Sequence, residues 1–317
     1  MRSAMSKLVA FVMCVAMLSL AACGNSEVTT TAPETDPPHV HIYSSRVTQP
    51  TVDKRGFVEM VCECGDIESS EYFGISEIDE ESLVLFIGNS YTYYNDMHQI
   101  FQKIAKGQGI NVEVYSITKG GYALLQFADE KDPYGKMIDT YLGAKEVDYI
   151  FIQEQSERPA KDPKQFYDGV RAISERLASE EADILLYQTW GRKEPHSTLT
   201  SNGWTHEEMA YRLAASYEAI AEEMGYELSP VGSAFLDVYK NHPEINLYHS
   251  DNTHPSPAGS YLIALCHYAT LYGLSPVGVE YNMNLSDDVV SVLQNAAHNA
   301  VFGDSIVPPE YKVSSVK

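Results

Sequence analysis

The sequence predicts an α/β fold: a doubly wound, mostly parallel sheet with helices on both faces, preceded by a small β-rich module. Three observations predict it. Short strand-like runs recur at Leu83–Ile87, Val112–Ile117, Tyr149–Ile152 and Ile184–Tyr187, nearly all apolar apart from Glu113 and Ser116, and strands that lack polar alternation are strands buried on both faces. Amphipathic stretches separate these runs, so each strand returns to the sheet through a crossover helix. Helix-start chemistry stands where the crossovers need it: Asp162 before Pro163, Thr205 ahead of Glu208 as a capping box, and Ser256 before Pro257. In such sheets ligands gather outside the carboxyl ends of the strands, so functional residues are expected there.

Taken in chain order, residues 1–22 carry Arg2 and Lys7 and then an apolar run too short to span a membrane stably, which reads as an export signal. The run ends in Leu20-Ala21-Ala22-Cys23, which resembles the lipobox of bacterial lipoproteins. That resemblance implies a lipid on Cys23 and an extracytoplasmic, membrane-anchored protein. Residues 23–38 are rich in Thr, Pro and acidic residues and bury too little to fold, so they read as a tether. Residues 39–80 hold short β-prone runs around Val47 and Phe57–Val61. Their spacing resembles a Cys/His module of exported bacterial proteins. His41, Cys62 and Cys64 are the candidate ligands; Thr51-Val52 stands where a Thr-Cys step is expected, leaving the set one short of a closed zinc site unless His39 substitutes. The chain carries 44 acidic against 22 basic residues, a net charge of −22, which argues against nucleic acid as a partner.

The main domain spans residues 81–317. Its first strand ends in "FIGNS", where Gly88 suits a tight turn, Ser90 stands at the carboxyl end, and a helix is predicted over Asn95–Lys106. A serine there reads as a helix cap or as a nucleophile held clear of the sheet. The stretch "SDNTHPSPAG" supplies what a nucleophile needs. Asp251 lies three residues before His254, and a carboxylate can hold one imidazole nitrogen while the other acts as base. His249 leaves a metal cluster with Asp251 and His254 as an alternative, although three ligands in one loop need a turn the sequence does not announce. Cys266 reads as a small buried hydrophobe. A last helix, capped by Ser286 and carrying Asp287 and Asp288 in its first turn, is expected to pack onto the same domain.

Together these stretches resemble the SGNH hydrolase superfamily, the GDSL-like lipases and esterases. Gly88-Asn89-Ser90 stands for its first block, Gly120 or Gly121 for the glycine after the second strand, and Asp251-x-x-His254 with Pro255 for the last. The third block departs: "IFIQEQSERP" puts Gln155 where the family has an asparagine. The wording is similar to that of a poorly characterised bacterial branch of the superfamily. The resemblance implies a flavodoxin-like sheet and acyl transfer to Ser90, with His254 as base and Asp251 as its orienting partner. It also implies an oxyanion hole made of the Ser90 amide, the amide of Gly120 or Gly121, and the Gln155 side chain. No cofactor is required.

Asn89, Tyr91, Trp190 and Trp204 are candidates for substrate contact, the two tryptophans because they flank the loop after the fourth strand. Tyr91, Tyr93 and Tyr94 read either as core packing or as the floor of a sugar subsite. The function expected is that of a lipid-anchored esterase cleaving short acyl groups, acetyl first, from a small molecule or polysaccharide, touching the membrane only through its lipid. Alternatives are a lipase or thioesterase, or a glycan-binding surface lipoprotein that has lost catalysis.

Overall fold

The computed structural model describes residues 43–48, 56–62, 64, 67–73 and 81–313. Cys23, His39 and His41, with the predicted signal and tether, lie outside the described residues. Strands β1 (Tyr43–Thr48), β2 (Gly56–Cys62) and β3 (Ile67–Phe73) form an antiparallel sheet in the order β1-β2-β3. Two of the three were expected. β3 reads IESSEYF, too polar to announce itself, and exists through its pairing with β2. Cys62 is buried, Cys64 is exposed, and among the described residues no group of three His, Cys, Asp or Glu is placed to hold a metal.

The main sheet contains β4 (Ser82–Gly88), β5 (Val112–Thr118), β6 (Tyr149–Ile152), β7 (Asp183–Tyr187) and β8 (Glu227–Ser229). All neighbours are parallel, in the order β5-β4-β6-β7-β8. The first of these strands therefore lies between the second and the third, and the crevice at its carboxyl end is the switch point where doubly wound sheets bind ligands. β8 is three residues long, too short for periodicity to reveal.

The helices are, in order, α1 (Ser90–Tyr93), α2 (Met97–Gly107), α3 (Leu124–Ala128), α4 (Pro133–Leu142), α5 (Arg158–Lys161) and α6 (Pro163–Leu177). There follow α7 (Ser197–Asn202), α8 (His206–Met224), α9 (Val231–Asn241), α10 (Pro257–Tyr272) and α11 (Asp287–Phe302). Because side chains alternate along a strand, β4 feeds two cores. Val84 and Phe86 pack with α2, α9, α10 and α11, while Leu83, Leu85 and Ile87 pack with α3, α4, α6 and α8. Phe86 stacks on Phe151 of β6 at 4.8 Å, tying the central strands together on the first face. Each such side chain contributes about 1.5–3 kcal/mol through burial.

Three of the four predicted caps act as side-chain acceptors. Asp162 takes the Gln165 amide, Thr205 and Glu208 form the reciprocal box, and Ser256 takes the Gly259 amide. Ser286 occupies the cap position of α11 without a side-chain capping bond, leaving Asp287 and Asp288 to favour that terminus by charge. α2 starts at Met97 rather than Asn95. Asn95 and Asp96 have φ of 52° and 53° and cannot continue a right-handed helix.

Candidate active site

The turn after β4 has no room for a side chain. A Cβ on Gly88 would lie 2.5 Å from Thr92 Oγ1 and 2.7 Å from Gln153 Oε1. Gln153 Oε1 instead accepts from the Asn89 amide and from Thr92 Oγ1, each at 3.0 Å. Asn89 caps α1: its Oδ1 accepts from the Tyr91 amide at 3.2 Å, and its Nδ2 donates to Tyr122 O at 3.0 Å and Glu154 O at 3.1 Å. Ser90 follows as the first helical residue. Its amide makes no hydrogen bond among the described residues, as a helix's first turn allows.

The second half of the site is a loop closed at its base. His249 N donates to His254 O at 2.8 Å, Tyr248 and Pro255 form an antiparallel bridge, and Ser256 N donates to Leu247 O at 2.9 Å. Inside it, Asp251 Oδ1 accepts from the amides of Thr253 and His254, both at 3.0 Å, and Oδ2 lies 2.6 Å from His254 Nδ1. Partial burial pushes the Asp251 carboxyl up, but the hydrogen bond from the His254 ring and the two amides outweigh it and hold the group at about 2. Asp251 is therefore a carboxylate at neutral pH and can only accept. The proton of the pair sits on His254 Nδ1, which leaves the Nε2 lone pair facing Ser90 Oγ at 2.8 Å. His249 Nδ1 stands 3.7 Å from Asp251 Oδ2, and among the described residues these three side chains are not arranged as metal ligands.

Gly120 and Gly121, in the turn after β5, have amides without a partner among the described residues; Gly121 sits at φ 74°, and a Cβ on Gly120 would come within 3.1 Å of the Tyr93 hydroxyl. Gln155 is drawn into local structure. Its Oε1 accepts from the Glu157 and Arg158 amides at 3.1 Å, capping α5, and its Nε2 donates to Ser156 Oγ at 3.3 Å, one of the two bonds that an amide nitrogen can give. Gln153 is held likewise, its Oε1 by the Asn89 amide and its Nε2 on Glu154 O. The backbone amides of Ser90, Gly120 and Gly121 have no partner among the described residues.

Three of the four proposed substrate contacts are internal, and the fourth is taken up in packing. Asn89 is buried with its whole carboxamide bonded as above. Tyr91 and Trp190 stack face to face at 3.9 Å, and Trp190 stacks again on Phe235 at 4.5 Å. Trp190 Nε1 donates to Thr253 O at 3.2 Å, so it supports the Asp251–His254 loop from below. Trp204 is half-buried against Leu199, Met209 and Leu213, with the Arg212 guanidinium 4.9 Å over its ring. The loop these tryptophans flank does reach the site. His196 Nδ1 accepts from the Thr198 amide, so its Nε2 carries the proton and donates to Thr253 Oγ1 at 3.1 Å.

Two charged groups went unread in the sequence. Glu154 is buried; burial pushes its carboxyl up to about 7, against the pull of the Gln155 amide, Arg158 and the Leu124 amide. It joins the end of β6 to the start of α3, with Gln155 N at 2.5 Å and Leu124 N at 3.4 Å. Arg192, also buried, donates to Tyr91 Oη and to Ser156 Oγ and pairs with Glu157 at 3.7 Å. A Glu two residues past a short apolar strand was the available clue.

No family model matches the chain, and no curated protein matches it. Solved structures do. The chain is similar to a protein assigned to the SGNH hydrolases from Slackia heliotrinireducens, at 29% identity and a TM-score of 0.53, covering 61% of this chain and 100% of that one. It is also similar to a DUF4886 family protein from Bacteroides uniformis, at 17% identity and a TM-score of 0.64, covering 72% of this chain and 98% of that one.

Two amide substitutions should separate. Asn89→Asp sets a carboxylate against the two carbonyl oxygens that Nδ2 now serves; it should cost about 3 kcal/mol in urea unfolding. Gln155→Ala should cost only about 1 kcal/mol, the loss of a cap. Asp251 gives a pH signature. Its folded value lies below the ordinary carboxyl value of about 3.9, so its stabilisation is present above pH 4 and is lost as pH falls toward 2. The gap in melting temperature between the parent and Asp251→Asn should narrow over that window; a constant gap would contradict the pairing.

Proposed function

We propose that this chain, which belongs to the SGNH hydrolase superfamily, is a serine esterase that takes short acyl groups onto Ser90, acetyl esters of carbohydrate being its first substrate class. The observation that carries this reading is the unbroken relay from Asp251 through the His254 ring to Ser90 Oγ, at 2.6 and 2.8 Å. Nε2 takes the Ser90 proton as Oγ attacks the ester carbonyl, and Asp251 offsets the charge that appears on the ring. The carbonyl oxygen, now an anion, is met by the amides of Ser90 and of Gly120 or Gly121; each such donor is worth about 3 kcal/mol of barrier. The tetrahedral adduct collapses, the leaving alcohol takes the proton from Nε2, and water repeats the sequence to free the acid.

Support for a short acyl group and a polar alcohol comes from the surroundings of the relay. Tyr94 lies on His254, His196 bonds Thr253, and the Tyr93 hydroxyl stands beside Gly120, a mixture of polar and aromatic groups rather than an alkyl channel. Tyr93 is half-exposed, an aromatic surface of the kind sugar rings stack on. We further propose, from the Leu20–Cys23 sequence alone, that a lipid on Cys23 holds the enzyme at the outer face of a membrane.

Purified protein should hydrolyse p-nitrophenyl acetate faster than the twelve-carbon ester, and Ser90→Ala should abolish turnover and labelling by a fluorophosphonate probe. Labelling of another serine, or activity persisting in Ser90→Ala, would refute the assignment. Globomycin should leave the full-length precursor uncleaved in cells, and Cys23→Ala should release the protein from membranes. A Cys23→Ala form that stays fully membrane-bound excludes the anchor.

A further inference from the structure

The base of the relay is held by more than its two in-plane hydrogen bonds. The Tyr94 ring lies parallel to the His254 imidazole, with centroids 4.1 Å and planes 7° apart. Tyr91 meets the same imidazole edge-on at 5.9 Å, and His249 stands edge-on to Tyr94 at 6.0 Å. The only carboxylate bonded to the imidazole among the described residues is Asp251, in the ring plane.

The chain is bent to make this stack. Asn95 and Asp96, directly after Tyr94, both take left-handed backbone, which Asn and Asp adopt more readily than other non-glycine residues. Asn95 Nδ2 donates to Pro255 O at 3.1 Å and Ser260 Oγ at 2.9 Å, and Ser260 Oγ donates to Tyr94 O at 3.4 Å. Pro255 follows His254 directly, and Ser260 lies in the first turn of α10. Tyr94 is therefore clamped to the segment that carries the base, one turn beyond the residue that carries the hydroxyl.

We propose that Tyr94 is a positioning residue for ester cleavage: its ring fixes the plane of His254 and stabilises the imidazolium formed when Ser90 Oγ gives up its proton. This rests on the esterase reading above. The face of a phenol ring is electron-rich and attracts a cation lying over it. Neutral imidazole gains little from that attraction, so the stabilisation grows as the proton moves and falls on kcat rather than KM. The expected size is about twofold to thirtyfold in rate.

The test compares the parent protein with Tyr94→Phe and Tyr94→Leu, using steady-state kinetics on p-nitrophenyl acetate and the proton NMR resonance of His254 Cε1–H. Phenylalanine keeps the ring and should retain at least a third of kcat. Leucine should lose about tenfold in kcat with KM within about twofold, and the His254 resonance should move downfield as the ring current disappears. The proposal fails if leucine matches phenylalanine in kcat, if the loss lies in KM, or if the resonance is unchanged in Tyr94→Leu. Tyr94→Met replaces the leucine variant should that one not fold. Absence of ester turnover in the parent would sink the esterase reading, whereas the ring-current shift needs no substrate and still decides whether Tyr94 covers the base.

Discussion

The carboxyl end of the sheet depends on one side chain bonding two carbonyl oxygens at once. Asn89 Nδ2 reaches Tyr122 O in the segment after β5 and Glu154 O in the segment after β6, while its own residue closes β4. Three strand ends are thereby tied at a single buried carboxamide. Only a neutral amide can serve two acceptors with one nitrogen and still take the Tyr91 amide on its oxygen. The amide at position 89 suits the acceptors that surround it. Gln153 completes the arrangement from below, in space that Gly88 leaves open.

Beneath this knot the loops after β6 and β7 are joined by buried charge. Arg192 binds Ser156 and Glu157 on one side and the Tyr91 phenol on the other. Burial pushes that phenol up to about 12, with Arg192 pulling the other way, so it remains protonated. Buried pairs of this kind add little net stability, because desolvation consumes most of the attraction. What they do here is fix which loop lies against which.

What the sequence made legible was what depends on near neighbours. The central strands β4, β6 and β7 showed because residues buried on two faces must be continuously apolar, and the edge strand β5 showed through its β-prone residues. Asp251 and His254 showed because their contact closes within four residues. Gln155 was less legible, because the backbone turns after β6 and its carboxamide oxygen caps α5. Trp190 was misread for a related reason: residues 188–192 follow a strand as loops do, yet all are buried. Nothing in the residue types distinguishes a buried loop from an exposed one. The Tyr94 stack was half-legible; its aromatic run was plain, but its choice of partner depends on left-handed turns that composition does not encode.

The two contacts of the relay differ in how far apart the chain must bring their partners. Asp251 and His254 are neighbours in a self-closed loop and pay almost nothing for meeting, whereas Ser90 and His254 are separated by 164 positions. Closing that distance requires β4 and α10 to be seated on the same core, through Phe86 on one side and the buried length of α10 on the other. The Asp251–His254 contact is thus local, whereas the Ser90–His254 contact needs pairings of high sequence separation, the kind that form more slowly. If Ser90 is the nucleophile proposed above, the relay is assembled only with the completed topology, and loosening α10 parts Ser90 from His254 while the Asp251–His254 contact stays within its own loop.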